Sequence, residues 1–383
     1  MKRAFQPLSV CVPAGTYVRL ADGSQRPIEQ IRLLDEVVTA EGRTGRVLHT
    51  MVRRADDGLV EVTFRGHMPL HCTPNHPVRT TRGYVAAKDL RNGDHVSITR
   101  YHAAGDDLIH VERLVNVKDL RGTIDGTINV GGVISEIAPL PTLLARTPSL
   151  GRLLGLYAAE GNVTPNKVTW TYGSHERDTL VPETCALIKD AFGATSRIQQ
   201  RPNGAMIVVL YGKTWKRLFE ILVPGTAKHG DKRLSAHVTY GPAPYLEALL
   251  DGWLAGDGSD RQDRQLVVGV TVCRQLALDM LAIATTLGRP VGLRQSEPSL
   301  NRHAATRQTR YDLSFPYGNG TNLPKVDDTA VWRRVQGVTS PKFDGWVYNL
   351  QVESDESYVA DGVGVHDCIG ASSPNVPLSA QRT

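Results

Sequence analysis

The sequence predicts a β-rich domain split by an α/β insertion, and three observations carry that reading. Short apolar segments alternate with polar residues from Cys11 to about Arg100, and the same pattern returns after about Thr329. Between about Leu150 and Phe315 the apolar residues instead recur at helical spacing. Two separate β domains flanking a mixed one would show the same pattern; a single β domain interrupted by an insertion is the sharper alternative.

In chain order, the first strands are TYVRLA, EVVTA, GRVLHTMV, LVEVTFR, HPVRTT and HVSIT, parted by Gly, Asp and Pro. The stretch from Tyr101 to Ser149 is mixed and reads as a connection, with GTIDGTINVGG a turn or hairpin. Helices follow in LGRLLGLYAAEG, PETCALIKDAFG, TWKRLFEILV, PYLEALLDGWLAGDG and RQLALDMLAIATTLG. Strand-like pieces, NKVTWTYGS, AMIVVLYG, QLVVGVTV and RYDLSF, lie among them. AVWRRVQGV, GWVYNLQVE and SYVADGVGV then restore the β pattern.

With 383 residues and 41% hydrophobic content, the chain can bury one or more real cores. A formal charge of +5 is modest, but Arg is concentrated in stretches such as NRHAATRQTRYDL, so a local basic surface is the better lead. Cys11, Cys72, Cys185, Cys273 and Cys368 are scattered, odd in number and free of any CxxC pair. They exclude a disulfide framework and a zinc ribbon and point to free thiols in a reducing, cytoplasmic setting. The opening MKRAFQPLSVC has a lipobox-like LSVC, but its apolar part is short and holds Pro7, so an export signal is not expected. No apolar run approaches the roughly 18 residues of a membrane helix, and no membrane partner is expected.

The insertion carries an internal repeat. LLGLYAAEGN and LLDGWLAGDGS each join an apolar helix rich in small residues to an acid-glycine end, Glu160-Gly161 and Asp257-Gly258. Gly155, Ala158 and Ala159, and Gly252, Ala255 and Gly256, would let the two helices pack backbone to backbone and bring both acids together. Each acid alone reads equally well as the end of a packed helix. Side by side, two carboxylates at negative helix ends repel and call for a positive partner. Divalent Mg²⁺ or Mn²⁺ suits carboxylate oxygen, with Lys213 or Lys232 in weak support.

This pair resembles the two LAGLIDADG motifs of homing endonucleases, over about Leu150 to Phe315. The resemblance implies two pseudo-symmetric αββαββα-type halves, Glu160 and Asp257 as metal-binding catalytic acids, and double-stranded DNA as partner. Arg197, Arg201, Arg264, Arg294, Arg302 and Arg310 would then face DNA, where phosphate contacts give affinity and base contacts specificity.

Reactive residues bracket the β segments. Cys11 opens CVPAGTYVRL, and HCTPNH places Thr73 and His76 after Cys72, so a thiol nucleophile with polarising partners is one reading and a simple turn beside a buried Cys is another. A zinc site at His71, Cys72 and His76 lacks a fourth ligand. The chain ends its last β segment with GVGVHDCIG. Together these segments resemble an intein: a leading Cys before a Gly-Thr turn, Thr-x-x-His, the VYNLQV strand and a His-x-Cys ending.

That resemblance implies an all-β horseshoe-like Hedgehog/intein domain split by the LAGLIDADG endonuclease. Residues 1–10 and 368–383 would be flanks of a host protein, 11–140 and 326–367 the two parts of the splicing domain, and 141–325 the endonuclease. Cys11 would attack the Val10 carbonyl with Thr73 and His76 assisting, His76 protonating the departing amine. Cys368 would take over the acyl group, and the residue before it would release the intein with help from His366. Its partners would be the intein-free host gene and its own flanks, and the chain is expected to be monomeric.

Two departures from the family pattern stand out. Asp367 occupies the place of a terminal Asn and lacks the nucleophilic amide nitrogen. Asn349 stands where an Asp is usual, and Glu356 near where a His often sits, so acid/base help should be weaker or differently placed. Two rivals are a DNA endonuclease whose β domain is splicing-defective, cleavage-only or structural, and a Cys/His hydrolase using Cys11 or Cys72 with His76.

Overall fold

The computed structural model describes residues 10–367 apart from 56–57, 104, 106, 115–119, 125–126, 131–139, 297–307 and 318–322. The chain forms two compact units, and the first is discontinuous in sequence: Met1–Ala103, Ala284–Gln295 and Gly318–Thr383 belong to it, Ala104–Ile283 and Ser296–Tyr317 to the second. Cys368 and Arg302 lie outside the described residues.

The first unit is β-rich. In one sheet the order is Val12–Pro13, Trp346–Val352, Thr44–Arg54, Glu36–Val38, so a strand from the C-terminal part is inserted among those of the N-terminal part. A larger sheet repeats the interleaving: Tyr17–Arg19 pairs with Ser357–Ala360, and His95–Thr99 with Ala330–Thr339. Alternation places every second apolar side chain inward, and a shared main core results, with Val12, Val47, Val62, Leu70 and Val96 packed among Val335, Leu350, Tyr358, Val363 and Val365. Each fully buried Val or Leu contributes about 1.5–3 kcal/mol by leaving water. Neither stretch could keep such a core dry alone.

Three registers bring distant residues together. Val12 sits opposite Tyr348, which brings Asn349 beside the peptide preceding Val12. The strand Ser357–Ala360 returns as Val363–His366 through Asp361 and Gly362, with φ of 47° and 88°. Two successive left-handed residues fit a type I′ turn, matched to strand twist. Val365 then lies opposite Val78, two residues past His76, so the chain's last described residues come to His76.

The second unit is mixed. Thr147 caps the helix Pro148–Glu160, its hydroxyl accepting the Leu150 N–H at 3.2 Å, with Pro148 where the missing N–H costs nothing. The helix runs directly into Gly161–Thr164, which pairs with Lys167–Tyr172; the helix Leu180–Phe192, strands Arg197–Gln200 and Met206–Tyr211 and the helix Lys213–Leu222 complete the half. The second half repeats the order: helix Ala243–Asp257, strands Gly258–Arg261 and Leu266–Thr271, helix Arg274–Thr286, strands Gly292–Ser296 and Arg310–Pro316.

The helices Pro148–Glu160 and Ala243–Asp257 pack backbone to backbone. A methyl on Gly155 would collide with the Leu249 carbonyl, and one on Gly252 with the Arg152 carbonyl, so glycine is required at both places.

The structure departs from expectation in three places. The second half closes on a strand with no seventh element among the described residues, because past Pro316 the chain re-enters the first unit. The connection after Tyr101 holds the expected hairpin, Leu120–Ile124 with Thr127–Val130, but it also pairs Leu108–His110 with Leu143–Ala145, and these strands group with the second unit. Residues Ala284–Gln295, inside the expected insertion, group with the first unit. No helix of the described residues is long and apolar enough to cross a membrane.

Candidate functional site

In the first unit the Val10–Cys11 peptide is held on both edges. The Cys11 N–H donates to Thr73 Oγ1 at 2.8 Å, and the Thr73 hydroxyl faces the Cys11 carbonyl at 3.3 Å. On the other edge, Asn349 Nδ2 donates to the Val10 carbonyl oxygen at 2.7 Å. Cys11 itself is buried with Ala55, Leu59 and Val347. Thr73 follows the strand His67–Cys72, and a backbone bond from its N–H to the Cys11 oxygen at 2.9 Å fixes the two segments together.

His76 is wholly buried, with its ring edge-on to Tyr358 at 6.4 Å. The backbones of Cys11 and His366 border it, but neither ring nitrogen is aligned for a hydrogen bond. Burial pushes the imidazole down to about 4, so it is neutral at physiological pH. Expected as a proton donor, it is therefore not a standing acid; a neutral ring can still accept a proton and pass one on.

At the other end of the unit, Asp367 is buried, its N–H bonded to the Glu356 carbonyl at 2.8 Å. Asp367 Oδ2 accepts the Val352 N–H at 2.7 Å, and Oδ1 lies 3.6 Å from His366 Nδ1, an ion-pair distance too long for a hydrogen bond. The Asp367 carboxylate, helped by the neighbouring backbone and by Glu356, holds His366 above its ordinary value despite partial burial. Glu356 Oε2 is 4.0 Å from His366 Nε2, so this carboxylate faces the imidazole. Cys11, Thr73, His76, His366 and Asp367 are thus gathered within one unit. Asn349, read from sequence as a departure, joins them.

In the second unit the two helix seams bring Glu160 and Asp257 to one end. Glu160 lies along the Gly256 surface, and Asp257 Oδ2 accepts the Trp253 indole N–H at 3.1 Å. Burial first, then the charge of Asp257, raises Glu160 to about 7; burial raises Asp257 to about 6. Lys232, almost fully buried, donates to the Tyr157 and Gly161 carbonyls at 2.9 and 2.8 Å, and burial lowers it to about 8 against the pull of the two acids. Lys213, by contrast, is exposed at the start of its helix. Among the described residues, no group of three or more His, Cys, Asp or Glu is arranged around a metal. The pair with its raised proton affinities is under-compensated charge, which an oxygen-seeking divalent cation fits.

Of the arginines, Arg197 and Arg201 lie exposed on and just after the strand Arg197–Gln200, Arg197 over the Tyr211 ring at 5.9 Å. Arg264 is 3.6 Å from Asp263, and Arg310 is bidentate to Asp312 at 2.6 and 3.0 Å, which reduces the charge both present. Arg294 is exposed on the strand Gly292–Ser296, which neighbours Arg310–Pro316 in the sheet, although residues Ala284–Gln295 group with the first unit.

No protein-family model matches the chain. In sequence it is 25% identical over 388 residues to an iron–sulfur cluster assembly SufBD family protein of Mycobacterium tuberculosis, covering 94% of this chain and 43% of that protein. It is 23% identical over 430 residues to the ATP-dependent DNA helicase Hel308 of Thermococcus kodakarensis, covering 96% of this chain and 37% of the helicase. The chain spans less than half the length of these relatives. Among solved structures, it is similar to the homing endonuclease I-DmoI in complex with DNA and Mn, at 14% identity and a TM-score of 0.32 over 44% of this chain and 90% of that one. A bacterial intein-like domain from Clostridium thermocellum matches 25% of this chain and 69% of its own, at 27% identity and a TM-score of 0.21.

Proposed function

We propose that the chain is a self-splicing element of the intein type, removing residues 11–367 from their flanks, with a LAGLIDADG-type DNA endonuclease in its middle. The observation that carries this reading is the Val10–Cys11 peptide, gripped by side chains at 2.8 and 2.7 Å on its two edges with a thiol on the adjoining residue. Any buried peptide needs its polar atoms paired; here side chains from distant strands do the pairing, beside a thiol, where a backbone ladder would ordinarily serve. The sequence relatives support it differently. An iron–sulfur assembly protein and a helicase share no named activity, yet each aligns with nearly all of this chain over less than half of itself. That is the pattern of a module carried by unrelated hosts.

The first step is an isomerisation. Cys11 Sγ adds to the Val10 carbonyl carbon, the Val10–Cys11 C–N bond breaks, and the thiol proton ends on the Cys11 nitrogen. Neutral His76 relays that proton. The Cys368 thiol then attacks the thioester and expels the Cys11 thiol. Release follows when the Asp367 carboxylate attacks its own carbonyl carbon, giving a cyclic anhydride and freeing the Cys368 amine with a proton from His366. The raised proton affinity of His366 suits that donation. Water opens the anhydride, and an S-to-N shift leaves Val10 joined to Cys368.

In the second unit, Glu160 and Asp257 would hold Mg²⁺ or Mn²⁺, which when bound polarises phosphodiesters and activates water. Lys232 tempers the charge between the acids, and Arg197 and Arg201 offer phosphate contacts to double-stranded DNA. The reading implies action in the cytoplasm, where Cys11 stays a thiol.

Mass spectrometry of the expressed chain tests this. Splicing yields a piece ending at Asp367 and the joined peptide MKRAFQPLSVCIGASSPNVPLSAQRT. A chain that stays full length through prolonged incubation with reductant sinks the proposal. Cleavage before Cys11 without ligation would favour the cleavage-only reading, with the chemistry stalled at Asp367.

A further inference from the structure

Asn349 occupies a place in the first site that the splicing reading leaves without a role. Its side chain is 1% exposed, in the middle of the strand Trp346–Val352. The amide orientation is fixed by the hydrogen bonds themselves: the Leu350 N–H can only donate, so the oxygen that accepts it at 2.8 Å must be Oδ1. The other end of the amide is then NH₂, and it points at the Val10 oxygen, 2.7 Å away. That oxygen takes on negative charge when sulfur adds to its carbon. A donor already aligned on it, with both residues buried, stabilises the charge without reorganisation.

We propose that Asn349 is a catalytic residue of the first acyl shift, its side-chain amide acting as the oxyanion donor on the Val10 carbonyl. The inference rests on the splicing reading and assigns within it a role that acid/base chemistry cannot fill. It accounts for an amide at this position in place of a carboxylate. An ionised Asp has no hydrogen to donate and would repel the oxyanion; only a protonated Asp could substitute. Thr73 holds the nitrogen edge of the same peptide, so the two side chains divide the bond between them: one positions the leaving nitrogen, the other receives the charge. In the shift itself, the S–C bond forms, charge passes to the Val10 oxygen and returns, the C–N bond breaks, and the proton from sulfur ends on nitrogen. No outside reactant is needed.

The test follows thioester formation in the full chain by thiol-induced cleavage between Val10 and Cys11. Asn349→Ala should slow it by about 10²–10³-fold, the usual cost of losing one oxyanion donor. Asn349→Asp should be comparably slow at neutral pH and recover as pH falls, while the unaltered chain shows no such acid-side recovery; a merely structural role would not produce that profile. Because these variants could misfold, isotope-edited infrared spectroscopy on the Cys11→Ala chain, labelled at the Val10 carbonyl, gives a second readout. The amide band should sit at the lowered frequency of a strongly hydrogen-bonded carbonyl. Cleavage by Asn349→Ala within a few-fold of the unaltered chain, a pH-independent Asn349→Asp, or a carbonyl band at the free position each overturns the assignment while leaving splicing intact. Failure of the unaltered chain to cleave overturns it together with the splicing reading.

Discussion

The peptide held by Thr73 and Asn349 and the carboxylates at Glu160 and Asp257 are both half or fully buried, yet they handle burial in opposite ways. The first region satisfies its polar atoms with neutral side chains: the N–H has an acceptor and the carbonyl a donor, at 2.8 and 2.7 Å. The second buries like charges, and its acids answer by holding protons up to about 7 and 6. A neutral, satisfied site is part of the fold's own stability. A buried pair of like charges weakens the fold unless a cation offsets it, so at a metal-binding pair function and stability would pull against each other.

The largest test of that contrast is at the acids. Glu160→Gln and Asp257→Asn should each abolish metal-dependent cleavage of a target duplex, by about 10³-fold or more, if metal-held charge carries the reaction. In the metal-free chain the same variants should melt a few degrees higher at pH 8. Both folded-state values are raised, so the deprotonated forms present at that pH are the destabilising ones. Adding Mg²⁺ should shrink the difference. Cleavage persisting in both variants would remove the acids from the site.

Thr73→Ala is the intermediate case and should move both quantities down. It leaves the buried Cys11 N–H without its acceptor, a cost of about 1–3 kcal/mol. Thiol-induced cleavage before Cys11 should slow by about 10–100-fold, read on the same gel as the loss in melting temperature. A faster or more stable variant would contradict the grip described for this peptide.

The smallest effect concerns pH. His67 and His76 are both fully buried and both lowered to about 4, chiefly by desolvation. Their neutral forms belong to the folded state, so the stability they confer is present above about 6.5 and is lost as pH falls toward 4. Melting followed by a probe in the first unit should drop across that window. Glu160 and Asp257 gain protons over a similar range and act in the opposite sense, so melting followed by a probe in the second unit should rise as pH falls from about 7.

The parts legible in the sequence were those written locally. Alternation marked the strands, the acid-glycine ends marked the repeated helices, and Cys11, Thr73 and His76 stood out by chemistry and spacing. What lay hidden depends on register over long separations. Asn349 is a polar residue in an apolar strand, and only the pairing of Tyr348 with Val12 puts its amide on the Val10 oxygen, 339 positions away in the chain. Lys232 was weakly marked because its loop has no periodicity; its role comes from burial against the carbonyls of Tyr157 and Gly161. The unit boundaries near Ala104 and Ala284 were missed for the same reason: a helix or strand looks alike whichever core it joins.

The hairpin that ends at His366 has one more consequence. Its second strand is interior, with Tyr358 opposite Val365 on one flank and Val78 and Ile98 opposite Val365 and Val363 on the other. A terminus created just past such a strand is born ordered. It gains almost no chain entropy and loses no ladder hydrogen bond. A chain cut after Asp367 would keep that end pinned in place, a break that the fold has already closed.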